Sequence, residues 1–492
     1  MSLINITNLT FSHDGSYDNI FENVSFQISS DWKLGFTGRN GRGKTTFLNL
    51  LLGKHEYSGT ISSSVRFDCF PFEVPDKTQN TIDIVYSINE GLALWELHRE
   101  LSLLDVSKDV LYRPFGTLSP GEQTKVLLAG LFLKENNFLL IDEPTNHLDA
   151  EARMKVSSYL KSQKGFILVS HDRAFLDNCI DHVLSINKTN IEIQKGNFSS
   201  WWSNKKGQDA FEFAENDKLQ RDIKKLSSAA KRTSAWSDNA EKSKNRPLSS
   251  GLSADKGYIG HKAAKLMKRS KEMEKRQQKA IEEKSKLLTN IETADKLCMK
   301  PLHYPAHRLV EISDLSIFYD GKIVCENVNM EINRGDRIAL RGKNGSGKSS
   351  VLKLLVGEDI SFRGSVRAGN GLVVSYVSQD TSFLRGNLKE FARNNHMDES
   401  LFKTILRKLD FSRVQFEKEL QNFSGGQKKK VLLAKSLCEE AHLYIWDEPL
   451  NFIDVFSRMQ IEELLLEYKP TLLFVEHDGA FVHTITTKIV AL

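Results

Sequence analysis

The chain has 492 residues, too many for one hydrophobic core, so two or three domains are expected. Hydrophobic residues make up 40% and charged residues 27%, which excludes a disordered chain, and no apolar run approaches the roughly 20 residues of a membrane-spanning helix. The net charge of +5 hides an asymmetry: residues 205–300 hold 24 Lys and Arg against 14 Asp and Glu, which leaves the rest of the chain acidic.

Cys69, Cys179, Cys298, Cys325 and Cys438 are odd in number and in no Cys-x-x-Cys spacing. That pattern argues against a disulfide framework and a zinc site, and fits a reducing compartment. The Met1-Ser-Leu-Ile-Asn-Ile6 start carries no charged stretch ahead of an apolar one, so a cytoplasmic protein is expected.

Lys33-Leu-Gly-Phe-Thr37 predicts a short strand, followed by the glycine-rich Gly38-Arg-Asn-Gly-Arg-Gly-Lys-Thr45 and a helix from Thr46. Strand, glycine loop and helix in that order form a P-loop, whose unobstructed N–H groups point inward at a helix N-terminus and favour phosphate. Gly38, Arg39, Asn40, Gly41, Arg42, Gly43, Lys44, Thr45 and Thr46 are therefore candidate ATP-binding residues. Lys44 is expected to reach the β- and γ-phosphates, and Thr45 to offer its hydroxyl to Mg2+. Further on, Phe138-Leu-Leu-Ile141 is a continuous apolar run, the pattern of a buried parallel strand, and it ends in Asp142 and Glu143. That strand edge is where α/β proteins place ligands: Asp142 is the candidate Mg2+-side acid, and Glu143 the residue that polarises the attacking water. A second apolar run, Phe166-Ile-Leu-Val169, leads to His171, a candidate γ-phosphate contact.

From 201 to 303 the pattern changes. Leu219, Ile223, Leu226 and Ala230 fall at steps of four and three, and Leu266, Met273, Ala280 and Leu287 recur every seven, which predicts the two arms of a helical hairpin. Asn245-Arg-Pro-Leu-Ser-Ser-Gly251 breaks the helix between them. Arms of about 35 residues extend on the order of 50 Å. Lys262, Lys265, Lys268, Arg269, Lys271, Lys275 and Arg276 stand beside a tip containing Leu248, Leu252, Lys256, Tyr258 and Ile259. A solvated spacer accounts for a generic lysine-rich helix pair. Dense cations beside an exposed aromatic point instead to a polyanion, neutralised by the cations and stacked by the ring.

Residues 304–492 repeat 1–200. Arg337-Ile-Ala-Leu-Arg341 leads into a second P-loop, with Gly342, Lys343, Asn344, Gly345, Ser346, Gly347, Lys348, Ser349 and Ser350 as its candidate phosphate and Mg2+ contacts. Leu443-Tyr-Ile-Trp446 ends in Asp447 and Glu448, and His477 follows Leu472-Leu-Phe-Val475. Leu118-Ser-Pro-Gly-Glu-Gln123 answers Phe423-Ser-Gly-Gly-Gln-Lys428. Lys44 and Ser119 lie 75 positions apart, Lys348 and Ser424 76, and each serine precedes its aspartate, Asp142 or Asp447, by 23. Two matches in register leave a glycine turn that merely joins strand to helix a poor alternative.

Together these residues resemble the ATP-binding-cassette superfamily over nearly all of 1–200 and 304–492. The fold this implies is α/β: two tandem P-loop ATPase domains joined by an α-helical hairpin. In that family two cassettes pack head to tail, and the signature loop of each caps the ATP on the other's P-loop. The resemblance therefore implies Ser119 and Gly121 opposite Lys348, and Ser424, Gly425 and Gly426 opposite Lys44. It further implies Tyr319 stacking adenine, Gln379 contacting ATP and Mg2+, and Glu143, Glu448, His171 and His477 in catalysis. A monomer holding its own pair of cassettes follows. The copies differ: Pro120 replaces a glycine and removes an N–H, Phe70-Pro-Phe-Glu73 has no counterpart of Gln379, His13 stands in the place of Tyr319, and Leu450-Asn-Phe-Ile-Asp454 departs from Thr145-Asn-His-Leu-Asp149. Both cassettes are expected to bind ATP, with unequal turnover.

Within the superfamily the layout resembles the ABC-F branch, and most of all its Lsa/Vga-type antibiotic-resistance members. That likeness identifies the polyanion as the 70S ribosome, with rRNA and tRNA met near the exit site. It sends Leu248, Leu252, Lys256, Tyr258, Ile259 and Lys262 toward the peptidyl-transferase centre. It implies release of lincosamide, pleuromutilin or group A streptogramin antibiotics. A housekeeping factor for stalled ribosomes, the ATPase subunit of an efflux transporter and a DNA-maintenance protein are the other readings. The missing membrane domain counts against the transporter.

Overall fold

The computed structural model describes residues 2–13, 19–146, 148–187, 190–243, 265, 268, 271–272, 275–276, 279, 297–319, 321–343 and 345–492. The chain forms two compact units, one of Met1–Trp201 with Ala294–Leu492 and the other of Trp202–Thr293.

In the first half of the larger unit the strands are β1 (Leu3–Phe11), β2 (Phe21–Ser29), β3 (Lys33–Thr37), β4 (Ser58–Ser62), β5 (Arg66–Phe70), β6 (Asn137–Asp142), β7 (Phe166–Val169), β8 (His182–Asn187) and β9 (Asn190–Lys195). They make an antiparallel sheet, β2-β1-β4, and a second sheet, β5-β6-β7-β3-β8-β9, parallel except for the β8–β9 pair. The helices are α1 (Lys44–Leu51), α2 (Thr81–Ile88), α3 (Leu94–Leu103), α4 (Pro120–Phe132), α5 (Ala150–Ser162), α6 (Arg173–Cys179) and α7 (Phe198–Ser243), the last running on into the smaller unit. The second half repeats the plan with β10 (Arg308–Tyr319), β11 (Lys322–Asn333), β12 (Arg337–Arg341), β13 (Phe362–Ala368), β14 (Val374–Val377), β15 (Leu443–Asp447), β16 (Leu472–Val475) and β17 (Lys488–Ala491). Its sheets are β11-β10-β13 and the all-parallel β14-β15-β16-β12-β17. Its helices are α8 (Lys348–Val356), α9 (Leu388–Asn394), α10 (Glu399–Lys408), α11 (Gly425–Cys438), α12 (Val455–Tyr468) and α13 (Gly479–Ile485).

The apolar runs read from the sequence form the centre of each parallel sheet. Every residue of β7 and of β16 is buried, as expected of strands covered on both faces. Because β7 pairs in parallel with both β3 and β6, the three strands end at one edge. The P-loop, Asp142-Glu143 and His171 are therefore neighbours by topology, although they are far apart in sequence. The same argument applies to β12, β15 and β16.

The return from the linker differs from the expected boundary at 303. Leu297 and Met299 are buried in the core of the second half, Leu302 N–H donates to Ala441 O at 2.8 Å, and Lys300 faces Glu440 at 3.7 Å. At the other root, Trp201 is buried and packs edge-on against Phe456 of α12, with ring centroids 6.3 Å apart.

In the smaller unit α7 continues the predicted first arm, carrying Leu219 and Ile223 and the ion pairs Lys205–Asp209 and Arg221–Asp217. Lys265, Lys268, Lys271, Lys275, Arg276 and Lys279 are helical and exposed. The expected tip residues Leu248, Leu252, Lys256, Tyr258, Ile259 and Lys262, and the seam residues Leu266, Met273, Ala280 and Leu287, lie outside the described residues.

One buried ion pair tests the packing. Lys430 of α11 donates to Asp454 at 3.0 Å and to Leu409 O at 2.7 Å, with both side chains almost fully enclosed. Asp454 also caps α12 through Ser457 N–H at 2.9 Å. Burial alone would raise its carboxyl, but Lys430 and the Ser457 N–H outweigh burial and hold it far below the usual range. Its stabilisation is therefore in place at neutral pH and is lost as pH falls through the acidic range. Lys430→Met, which strands a buried carboxylate, is expected to cost about 3 kcal/mol or more at pH 7 by thermal melting, and adding Asp454→Asn is expected to recover part of that loss.

Candidate active sites

β3 runs through a loop into α1, and β12 through a matching loop into α8. Gly43 and Gly347 are the N-cap residues, at φ 95° and 87°, a left-handed backbone that suits glycine. A Cβ on Gly43 would stand 2.5 Å from Ile20 Cγ2, so space as well as backbone selects glycine there. Gly38, Arg39, Asn40, Gly41 and Arg42 form the first loop, with Thr45 and Thr46 on the first turn of α1. Gly342, Lys343, Gly345 and Ser346 form the second, with Ser349 and Ser350 on the first turn of α8, while Asn344 lies outside the described residues. Lys44 Nζ donates to Gly38 O at 2.7 Å and Arg39 O at 3.1 Å, and Lys348 Nζ to Gly342 O at 3.0 Å and Lys343 O at 2.8 Å. Each ammonium is thus held across the mouth of its own loop. Burial lowers both lysines, with the nearby carboxylates working the other way.

Thr45 Oγ1 donates to Asp142 Oδ2 at 3.2 Å. Both oxygens of Asp447 are buried without a well-formed hydrogen bond, and burial raises its carboxyl to about 6 against the effect of the Ser349 hydroxyl. Hydroxyl and carboxylate oxygens left for a hard cation fit Mg2+, with Thr45 and Asp142 at one site and Ser349 and Asp447 at the other. Bound there, the ion would offset phosphate charge.

Glu143 and Glu448 follow the aspartates at φ 50° and 47°, left-handed values that are uncommon outside glycine. Each turn is fixed by its own N–H, which donates to Val169 O at 2.9 Å or Val475 O at 3.0 Å. The turn brings each carboxylate beside the expected histidine: His171 Nε2 lies 3.3 Å from Glu143 Oε1, and His477 Nε2 3.4 Å from Glu448 Oε1. Burial, then Lys44, keeps His171 well below its ordinary pKa, so it is neutral at pH 7.

The two glutamates differ in support. Glu448 Oε2 accepts from Gln379 Nε2 at 2.9 Å and from Asn451 Nδ2. Burial raises the Glu448 carboxyl, but the His477 and Gln379 contacts prevail and leave it below its usual value. Glu143 Oε1 is buried with no hydrogen bond, and burial, then Asp142, pushes that carboxyl up to about 8. The cause is visible in the chain: β14 leads to Gln379, whereas β5 leads to Pro71-Phe72-Glu73, which has no amide to offer.

The halves meet head to tail. A cavity of about 540 Å3 joins Gly345, Gly347, Lys348, Ser349, Ser350, Gln379, Glu448 and His477 to Pro120, Asn146, Leu148 and Arg153 of the other half. Ser119 caps α4 in a reciprocal box with Glu122, and Pro120 takes the first helical position, so the expected signature loop reaches the second P-loop as a helix start. Gly121 sits beside Leu148, where an added Cβ would lie 3.5 Å away. On the opposite side Asn40 Nδ2 donates to Phe452 O at 2.9 Å and Arg39 lies 3.6 Å from Asp410. Lys430 and Asp454 act electrostatically on Lys44. Ser424 caps α11 with Gln427 and is exposed with Gly425, while a Cβ on Gly426 would stand 2.5 Å from Phe452 O. Tyr319 is half-exposed at the end of β10; His13 lies beyond β1, edge-on to Phe11.

Sequence reasoning missed Arg153, which lines the cavity at the second P-loop, and Lys429, which donates to Asp447 O at 3.2 Å. The repeat carried a signal for the first: Asp149-Ala-Glu-Ala-Arg153 and Asp454-Val-Phe-Ser-Arg458 place arginine at the same offset from a capping aspartate.

The two glutamates carry opposite linkage signs. A folded carboxyl raised to about 8 loses stability as pH rises from the unfolded value, and a lowered one gains it. In the nucleotide-free protein Glu143→Gln is expected to raise Tm by more at pH 8 than at pH 5. Glu448→Gln is expected to lower it at both, and scanning fluorimetry reads the pair.

A family model described as ABC transporter matches residues 21–146 and 325–451. The ribosome protection protein VmlR of Bacillus subtilis (strain 168) is 27% identical over 99% of this chain and 86% of its own length. The ATP-binding protein Uup of Buchnera aphidicola subsp. Acyrthosiphon pisum is 27% identical over 99% and 80%, and the probable ATP-binding protein YheS of Escherichia coli (strain K12) 25% over 96% and 76%. Among solved structures, the complex of archaeal ribosomal stalk protein aP1 and ribosome recycling factor aABCE1 superposes with a TM-score of 0.64 at 18% identity, covering 98% of this chain and 87% of that one. No described helix is long and apolar enough to cross a membrane. The chain therefore belongs to the ABC transporter family of ATP-binding cassettes, as a two-cassette ATPase of the ABC-F type.

Proposed function

We propose that this protein binds the 70S ribosome in an ATP-dependent manner and protects it by displacing antibiotics from the peptidyl-transferase centre. One observation carries the reading: the likeness to a ribosome protection protein runs over 99% of this chain, linker as well as cassettes. The exposed Lys265, Lys268, Lys271, Lys275, Arg276 and Lys279 support it, since dense cations give sequence-independent affinity for rRNA phosphates.

In this cycle ATP and Mg2+ fill the two composite sites and hold the cassettes together. Lys44 and Lys348 engage phosphates, and the starts of α4 and α11 close over them from the opposite cassette. The closed monomer docks at the tRNA exit site in the cytoplasm, and the linker carries Leu248, Leu252, Lys256, Tyr258, Ile259 and Lys262 toward the drug site. Lincosamides, pleuromutilins and group A streptogramins are the classes released. Glu448, ionised and held by Gln379 and Asn451, takes a proton from the attacking water, while Glu143, its carboxyl raised in the nucleotide-free protein, polarises the water less strongly at the other site. Hydrolysis opens the interface and resets the protein.

A second reading keeps the ribosome and omits the drug. It is favoured by the likeness to Uup over 99% and to YheS over 96% of this chain, proteins whose names mention no ribosome protection. Drug susceptibility of cells with and without the protein separates the two.

The Glu143→Gln, Glu448→Gln double variant with ATP is expected to co-sediment with 70S particles on a sucrose gradient. Retention at the top of the gradient with ATP binding intact would remove the ribosomal reading. In the intact cycle, Tyr258→Ala is expected to abolish drug protection while leaving ribosome sedimentation in place.

A further inference from the structure

Arg153 stands one turn into α5, after the capping residue Asp149. Its side chain is 13% exposed, and its hydrogen bonds go to three different segments. Nε donates to Leu148 O at 3.1 Å, and Nη1 donates to Asp172 Oδ2 at 3.0 Å and to His477 O at 3.1 Å. Leu148 lines the cavity at the second P-loop, Asp172 follows His171 of the first site, and His477 belongs to the second site in the other cassette. One guanidinium therefore joins the carboxylate of the residue after His171 to the backbone carbonyl of His477.

The backbone at His477 is held from two sides. Its N–H donates to Glu476 Oε2 at 3.0 Å, and its carbonyl accepts from Arg153. The imidazole between them stands 3.4 Å from Glu448. Arg458, the repeat of Arg153, is bonded differently. Its Nε, Nη2 and Nη1 donate to Ile453 O at 2.9 Å, Leu450 O at 3.0 Å and Asp478 Oδ2 at 2.9 Å, all within its own cassette. Of the two arginines, Arg153 alone makes a crossing hydrogen bond, while Arg458 reaches the first cassette only through its charge. A planar, fixed fork of donors suits such a junction, because several acceptors can be met without reorganisation.

We infer that Arg153 is a positioning residue of the first cassette that sets His477 of the second ATP site, so that hydrolysis at Glu448 depends on the two cassettes being closed. Parting of the cassettes takes the guanidinium from the His477 carbonyl and frees the histidine backbone. His171 keeps its own anchor on opening, because Asp172 is fixed within its cassette by Phe175 N–H at 3.0 Å and by its own N–H on Ser170 Oγ at 3.2 Å. The inference rests on reading Lys348, Glu448 and His477 as an ATP site.

The full chain in two single-site backgrounds tests it: Glu143→Gln isolates the second site and Glu448→Gln the first. In the Glu143→Gln background Arg153→Ala is expected to lower kcat about tenfold with KM for ATP within about twofold. The loss in the Glu448→Gln background is expected to be several times smaller. His477→Ala in the Glu143→Gln background is expected to absorb the effect, so that adding Arg153→Ala lowers kcat no further. Equal losses in both backgrounds, or losses that multiply with His477→Ala, would overturn the role of Arg153. If Arg153→Ala does not fold, Arg153→Lys keeps a charge for Asp172 but loses the fork. It goes through the same cycle, where the same pattern of losses is expected and the same two outcomes overturn the role. Wild-type turnover in the Glu143→Gln, Glu448→Gln pair would overturn the site reading instead.

Discussion

The two cassettes of this protein are held face to face by polar and charged groups buried in pairs, and the composite sites exist because those pairs match. Arg173 forms a two-pronged contact with Glu462 across the interface, Arg153 reaches His477 O, Arg39 stands beside Asp410, and Asn40 meets Phe452 O. Removing such groups from water is costly unless each finds its partner, so the contact tolerates little sliding. An apolar interface of the same size would adhere more strongly and discriminate less between registers. Here only an arrangement that satisfies the pairs brings α4 and the second P-loop to a common cavity.

Within that frame the sites are copies in plan and unlike in chemistry. Both glutamates adopt the left-handed turn, both stand by a histidine, and both follow a parallel strand into the cleft. The differences come from what surrounds them. Glu448 is surrounded by donors that favour its charge, while Glu143 sits in a drier pocket beside Asp142. The same divergence recurs one residue before each histidine: Glu476 bonds Leu450 N–H at 2.7 Å, where the first cassette has Thr145 and Ser170 hydroxyls 3.3 Å apart. These contacts, with the missing glutamine, make the surroundings of the two glutamates chemically unequal.

The P-loops, acidic strand ends and histidines were legible in the sequence because each is a local pattern, and because the repeat stated each pattern twice at one spacing. Parallel pairing then leaves little freedom in where they meet. The loss of a glutamine after β5 was legible as an absence, but its effect on Glu143 depends on burial by residues far along the chain. Arg153 could be found by aligning the halves, yet nothing local tells that its hydrogen bonds cross the interface while those of Arg458 stay within its own cassette. The linker ends before its expected boundary for a related reason. Leu297 and Met299 continue a charged helical segment in sequence, and their burial is decided by the core they enter.

Both roots of the linker stand on the second cassette: Trp201 against Phe456 of α12, and Leu297 with Met299 in the core beside α11. Phe456 also lies 6.0 Å beneath the guanidinium of Arg39 in the first P-loop. The first turn of α7 is in this way packed against the ring that also meets a nucleotide loop. A 46-residue helix spans about 70 Å, so one degree of rotation at its base displaces its far end by about 1 Å.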